Sequence, residues 1–422
     1  MDALLERAIA LWRESPDALA PAGRVFAASE QQEREQALDR FLEVFQGELQ
    51  NPPVTRPGRQ AARDRINEAF VAFAQAALDL QPRHLELLLA GGFSAIGTEM
   101  GRAARRFDPQ VSAADILQAS RNAWTACGLQ TLLGRPMRLT PPIFAYSMLY
   151  PYTDNYLDDP GVPREAKLGF SLRFGERLAG REAAPANAHE AAIWRLVGTI
   201  EDEFERGAVP QVYESLLRIH RAQVNSLRLL RRGGPAEGVD VLGLVFEKGG
   251  ASVLADGHLA AGTLTAPQAE FVFSWGVLLQ LADDLQDVLQ DCRDGARTLF
   301  SEAARREPLD ALTSRAVQFG GRVMAMMRGV AAPGCQALEE LMARSSASMF
   351  VRSVGDAAEL YSPAYVEAVE KRSPFRFEFL RARRKQFEKR SPLVLRLFEA
   401  FLEGDEDEPA FPLLPGSLMP RL

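Results

Sequence analysis

Lysine is scarce in this chain: Lys167, Lys248, Lys371, Lys385 and Lys389 stand against many arginines. Histidine is thin as well. His84, His189, His220 and His258 are scattered, which weakens any histidine-metal or histidine-base mechanism. The three cysteines, Cys127, Cys292 and Cys335, are odd in number and far apart. They exclude a disulfide framework and zinc-type spacing, and fit a reducing, cytoplasmic setting. No run of about 18 apolar residues occurs, so no segment is expected to span a membrane. The opening MDALLERAIALWRES lacks the basic start and apolar core of a signal peptide. A net charge of −7 argues against nucleic acid as the main partner. Alternating β-branched runs bounded by turn residues are almost missing, which leaves little room for sheet.

What is present is helical pattern. Apolar residues recur with a period near 3.6 in RINEAFVAFAQAALDL, VYESLLRIHRAQVNSLRLLRR and SPLVLRLFEAFLE. Breaks rich in proline or glycine fall at 51–59, 134–142, 158–163, 231–238 and 331–334. They divide a helical array without any shift in composition, and no internal repeat is visible. The expected architecture is all-α: one large helical bundle over residues 51–402 around a central cavity. A charged helical extension over 1–50 precedes it. The acidic, then proline-rich stretch 403–422 reads as a disordered tail.

Two groups of acids interrupt this apolar pattern. In FSWGVLLQLADDLQDVLQD, Asp283, Asp284, Asp287 and Asp291 sit on a helix otherwise fit for burial. Residues three and four apart share a helical face, so Asp283, Asp287 and Asp291 stack along one side, with Gln280 a turn earlier. A buried carboxylate normally has a partner or a metal. The second group lies in YPYTDNYLDDPG, where Asp154 and Asp158 share a face and Asp159 follows at the helix end. Pro151 is tolerated in a first turn and kinks a helix interior, so this helix begins or bends there. Three acids near a helix C-terminus oppose the macrodipole, a cost that a bound cation offsets. Two facing Asp-rich helices could hold several magnesium ions, each with one or two carboxylates, water and phosphate oxygens. Such ions would clamp a diphosphate and make it a better leaving group.

These residues resemble the class I all-α isoprenoid synthases. QLADDLQD matches the second Asp-rich motif of the trans-prenyltransferase branch through Gln280, Asp283, Asp284 and Asp287. FEKGGASVLADG resembles that branch's Lys-Thr helix start, with Lys248 as the diphosphate-binding lysine and Gly249 in place of Thr. QDCRDGARTLF resembles the loop after the second motif, with Arg297 where a lysine is usual. The agreement is good over about 240–300 and weaker over 140–180. The departures point away from chain elongation. The first motif reads DNYLDD, an inverted order closer to the squalene synthase style. The basic stretches that hold a second diphosphate in elongating enzymes are missing: AGGFSAIG carries no charge, and DDPGVPREAK offers only Arg164 and Lys167.

The resemblance therefore implies a terpene synthase that ionises a linear isoprenyl diphosphate and cyclises it. Asp154, Asp158, Asp283 and Asp287 would act in catalysis. With Asp159 and Asp284 they would hold magnesium, as three ions. Lys248, Gln280 and Arg297 would bind diphosphate, joined by Arg383 and Arg384 of the basic run RFEFLRARRKQFEKR. Tyr146 and Tyr150, two turns and one turn before Asp154, and Trp275 and Leu279, before Asp283, would line the cavity, the aromatic faces among them stabilising cations. A homodimer is compatible with this reading. Two alternatives remain at this point: a chain-elongating prenyl diphosphate synthase, and a non-catalytic helical scaffold or regulatory subunit.

Overall fold

The computed structural model describes residues 2–19, 24–90, 92–159, 161–226, 229 and 239–404, and of Asp2 and Asp158 only the backbone. Most of the tail expected over 403–422 thus lies outside the described residues, as does the break at 231–238. The described residues form helices and connections without strands. In chain order the helices are α1 (Asp2–Arg13), α2 (Ala28–Gln50), α3 (Arg56–Leu78), α4 (Pro82–Leu89), α5 (Phe93–Phe107), α6 (Ala113–Leu132), α7 (Pro141–Asp158), α8 (Arg164–Leu178) and α9 (Ala188–Glu203). There follow α10 (Pro210–Ser226), α11 (Val241–Ala261), α12 (Ala266–Asp294), α13 (Leu299–Ala303), α14 (Asp310–Val330), α15 (Gln336–Asp356), α16 (Pro363–Glu370), α17 (Phe377–Glu388) and α18 (Ser391–Leu402). No helix among the described residues is long and apolar enough to cross a membrane.

The chain divides into two compact units: Met1–Ala20 with Thr125–Cys335, and Pro21–Trp124 with Gln336–Leu422. Residues 1–50, read from the sequence as one extension, contribute α1 to the first unit and α2 to the second. In the second unit, α2 and α3 pair through stacked rings. Phe41 lies 5.5 Å from Phe73 and 6.0 Å from Phe45. Buried Glu35 accepts from both the backbone N (2.8 Å) and Nε (3.0 Å) of Arg376.

The first unit is organised around α11 and α12. Thr265 caps α12 by accepting from Gln268 N, and the Gln268 side chain reaches back to the Thr265 backbone. This reciprocal pair satisfies two donors that the first turn would otherwise leave open. Gly295 ends α12 in the left-handed region at φ 75°, where a side chain would be strained. Between these caps, α11 and α12 touch backbone to backbone. A Cβ on Gly249 would stand 2.7 Å from the Gly276 carbonyl oxygen, and one on Gly276 would run into the Gly249 carbonyl oxygen. The Phe273 ring fills the space where Gly250 lacks a side chain. This crossing gives a physical reason for glycine at position 249, where the resembled motif has threonine.

Helix α1 packs on α11, α12 and α14. Trp12 meets Phe246 edge-on at 5.7 Å and Phe319 at 5.9 Å. Arg7 pairs with Glu270 at 2.8 Å on the surface. On the other side of α11 lies α7, which also packs on α9. Helix α7 starts at Pro141 and continues through Pro151. Proline has no N–H, so the helix runs one hydrogen bond short there without ending.

If the glycine contact sets the α11–α12 spacing, Gly276→Ala should lower stability by about 1–3 kcal/mol through overpacking. Gly198, inside α9, has nothing near its missing Cβ. Gly198→Ala should leave the melting temperature unchanged or slightly raised. Thermal melts of the two variants, side by side, check the assignment; equal effects would remove it.

Candidate functional site

The acidic face of α12 is uneven. Asp283 is exposed, Asp287 and Asp291 are half-buried, and Asp284 is buried. The Gln280 side-chain amide donates to Asp284 Oδ1 at 2.7 Å, while Asp284 Oδ2 is buried with no hydrogen-bond partner among the described residues. Burial pushes the Asp284 carboxyl up to about 7, against the Gln280 hydrogen bond, with repulsion from Asp283 and Asp291 adding and the Lys248 ammonium opposing. Asp291 is raised to about 6, first by burial, then by Asp287, Asp283 and Asp294, again with Lys248 opposing. Helix α12 thus carries excess negative charge in a partly dry place, and Lys248 of α11 is the cation that acts on two of its acids.

Helix α7 carries the other acids singled out from the sequence. Asp154 Oδ1 accepts from the Gln223 side-chain amide at 3.0 Å and from Thr153 Oγ1 at 3.3 Å. Asp158 is the last residue of α7, and its side chain lies outside the description. Asp159 is exposed, and its Oδ1 accepts from Gly161 N at 2.7 Å, closing a local turn. Below Asp154 opens a small cavity, well under the usual size of small-molecule sites. Tyr146, Leu149, Tyr150 and Leu157 of α7 form one wall. Phe174 and Leu178 of α8 form another, and Leu216, Ile219, His220 and Gln223 of α10 the third.

The two tyrosines tie this wall to α11. Tyr146 donates to the Ser252 carbonyl at 3.0 Å, and the hydroxyls of Tyr150 and Ser252 share a hydrogen bond. One turn further along α11 stands Asp256, fully buried. Burial raises both tyrosine hydroxyls above their ordinary range, and the nearby Asp256 carboxylate raises them further. His220 is pushed down by burial, against a hydrogen bond with the Ser171 backbone, so its imidazole is neutral at neutral pH.

The other residues singled out from the sequence have separate settings. Arg297 pairs with Glu302 at 2.5 Å and its backbone N donates to Leu229 O, while Nη1 is buried with no partner among the described residues. Arg383 and Arg384 belong to the second unit. Arg383 pairs with Asp39 at 2.5 Å, and Arg384 with Asp356 at 2.6 Å and Glu388 at 2.9 Å. Trp275 is buried and stacked on Phe271 at 6.2 Å, and Leu279 is half-buried. Neither lines the α7–α8–α10 cavity. Sequence reasoning missed Gln223, His220 and Asp256. For Asp256 a signal existed: it is the single acid in the apolar run GGASVLADGHLAAG.

Among the described residues no three His, Cys, Asp or Glu side chains converge as a ready-made metal cage. No family model, no curated protein and no solved structure matches this chain.

Asp284 makes stability pH-dependent. A folded carboxyl near 7, above its unfolded value of 3.8, binds the proton more tightly in the fold. Its contribution is present in full below pH 4 and is lost as pH rises through 7. In metal-free buffer, Asp284→Asn should therefore gain melting temperature over the parent between pH 5 and 8. The upper limit is on the order of 4 kcal/mol. Parallel melting curves across that range would expose a wrong assignment.

Proposed function

We propose that this chain is a magnesium-dependent class I terpene synthase of isoprenoid-synthase fold. It would ionise a linear isoprenyl diphosphate, cyclise the cation and release diphosphate. The observation that carries this reading is the close crossing of α11 and α12, where Gly249, next to Lys248, packs against Gln280, with Lys248 in electrostatic range of Asp284 and Asp291. The resemblance assigned that lysine and the Gln280–Asp287 motif to one diphosphate site from separate stretches of sequence. Support also comes from the buried, unpartnered Oδ2 of Asp284 and Nη1 of Arg297, which are open positions for a cation and an anion respectively.

Asp154, Asp158, Asp283 and Asp287 would hold the ions, with Asp284 and Asp159 beside them. One or two carboxylates per ion suffice when water and phosphate oxygens complete the shell, so magnesium does not require a three-residue cage. When bound, it would neutralise charge developing on the leaving diphosphate. Lys248, Gln280 and Arg297 would orient that diphosphate. Arg383 and Arg384 would each have to leave an ion pair to join them. Tyr146 and Tyr150, held by Ser252, would shape the hydrocarbon chain and exclude water. Among the described residues no lysine or arginine lines the cavity beneath Asp154, which disfavours a second diphosphate there and with it the chain-elongating alternative.

The test is incubation with geranyl, farnesyl, geranylgeranyl and geranylfarnesyl diphosphate, with and without isopentenyl diphosphate. One substrate alone should give free diphosphate and a cyclic hydrocarbon or alcohol. EDTA should abolish turnover and magnesium restore it. Asp283→Asn should lose about a hundredfold or more in rate with an unchanged circular dichroism spectrum. Longer diphosphates appearing only with isopentenyl diphosphate would establish the prenyltransferase alternative. Turnover of nothing would leave the scaffold reading.

A further inference from the structure

Helix α8 has two unlike faces. Its inner face buries Phe170 and Phe174, and the helix packs on α9 and α10. On its outer face Leu168 and Leu172 are 50% and 73% exposed. The other large apolar residues exposed among the described ones, Val25 and Val54, belong to no helix and stand apart from each other in the chain. Arg164 comes one turn before Leu168, and Glu176 one turn after Leu172. Both are exposed, so the i, i+4 row of α8 reads Arg, Leu, Leu, Glu. Arg164 has no acidic partner among the described residues, and Glu176 pairs with exposed Arg181. Each of the two charges stands at the end of α8 that its sign disfavours: the cation in the first turn, the anion in the last. The row is its own complement. Turned end for end, it sets Arg164 opposite Glu176 of the partner subunit and Leu168 opposite Leu172 of the partner subunit. A two-fold axis produces this arrangement, because residue i then contacts j and j contacts i. Helices whose i±4 rows interlock cross at about −50°, which lays two such rows along each other.

We propose that the outer face of α8 docks a second copy of this chain, with the two α8 helices antiparallel about a two-fold axis. The leucines supply the attraction, and the end charges set the orientation. An anionic membrane surface would accept the leucines and Arg164 but repel Glu176, whereas a second copy satisfies all four. A single helix crossing buries less than the roughly 1,200 Å² of a stable interface, so the association is weak and depends on concentration. This inference does not rest on the reaction proposed above.

The experiment is sedimentation velocity on the full chain over about 1 to 300 µM, the range in which so small an interface would form. The parent should shift from monomer toward dimer as concentration rises. Leu172→Lys should remove that shift. Arg164→Glu alone and Glu176→Arg alone should each weaken the association by about tenfold or more, because the two-fold axis repeats each like-charge contact. Both substitutions suit the α8 dipole better than the parent residues do, so the loss does not come from a weakened helix. Circular dichroism of each variant checks this. An equimolar mixture of the two charge variants should dimerise again, as heterodimers, because opposite charges then face each other at both ends. A parent that stays monomeric throughout overturns the proposal, whether or not it binds anionic vesicles. So does a dimer that persists in Leu172→Lys, or a mixture that associates no better than its two components.

Discussion

The first unit depends on how closely α11 can approach α12. Gly249 and Gly276 let the two backbones meet with no side chain between them. That spacing brings Lys248 within electrostatic reach of Asp284 and Asp291 and puts Gln280 beside Gly249. It also turns the next stripe of α11, Ser252 and Asp256, toward α7 and its tyrosines. One helix therefore serves two neighbours: its lysine addresses the acids of α12, and its serine and aspartate address the aromatic wall of α7.

How much of this was legible depends on the range of the interaction. The helical pattern was readable because its period is local, and the structure is helical throughout the described residues. The acid cluster on α12 was readable as a motif. Which of its members is buried was not: Asp284 lies inside, and which face of α12 packs inward is set by tertiary contacts rather than by the local motif. The role of Gly249 was visible only as a departure from a resembled motif. Its cause, Gly276, lies on the next helix.

The C-terminal arginines show the opposite limit. Arg383 and Arg384 read as a free basic patch, yet Arg383 meets Asp39 and Arg384 meets Asp356. Nothing local in RFEFLRARRKQFEKR announces a partner more than three hundred residues earlier. The same holds for Trp12, which lies in a stretch read as an extension and packs against Phe246 and Phe319. Amphipathic helices declare that they will bury a face, but not against what.

The two-part construction of the second unit has a consequence for how the protein is made. Its first segment ends at Trp124 and its second begins at Gln336. On the ribosome, residues 125–335 are complete before the second segment exists. The α2–α3 pair, with Phe41, Phe45, Phe70 and Phe73, must wait for Phe375 and Phe387 to arrive. During that interval an aromatic surface is open to other nascent chains, a setting in which aggregation competes with folding. Synthesis rate and chaperone supply, rather than the stability of the finished protein, would then govern how much of it is recovered.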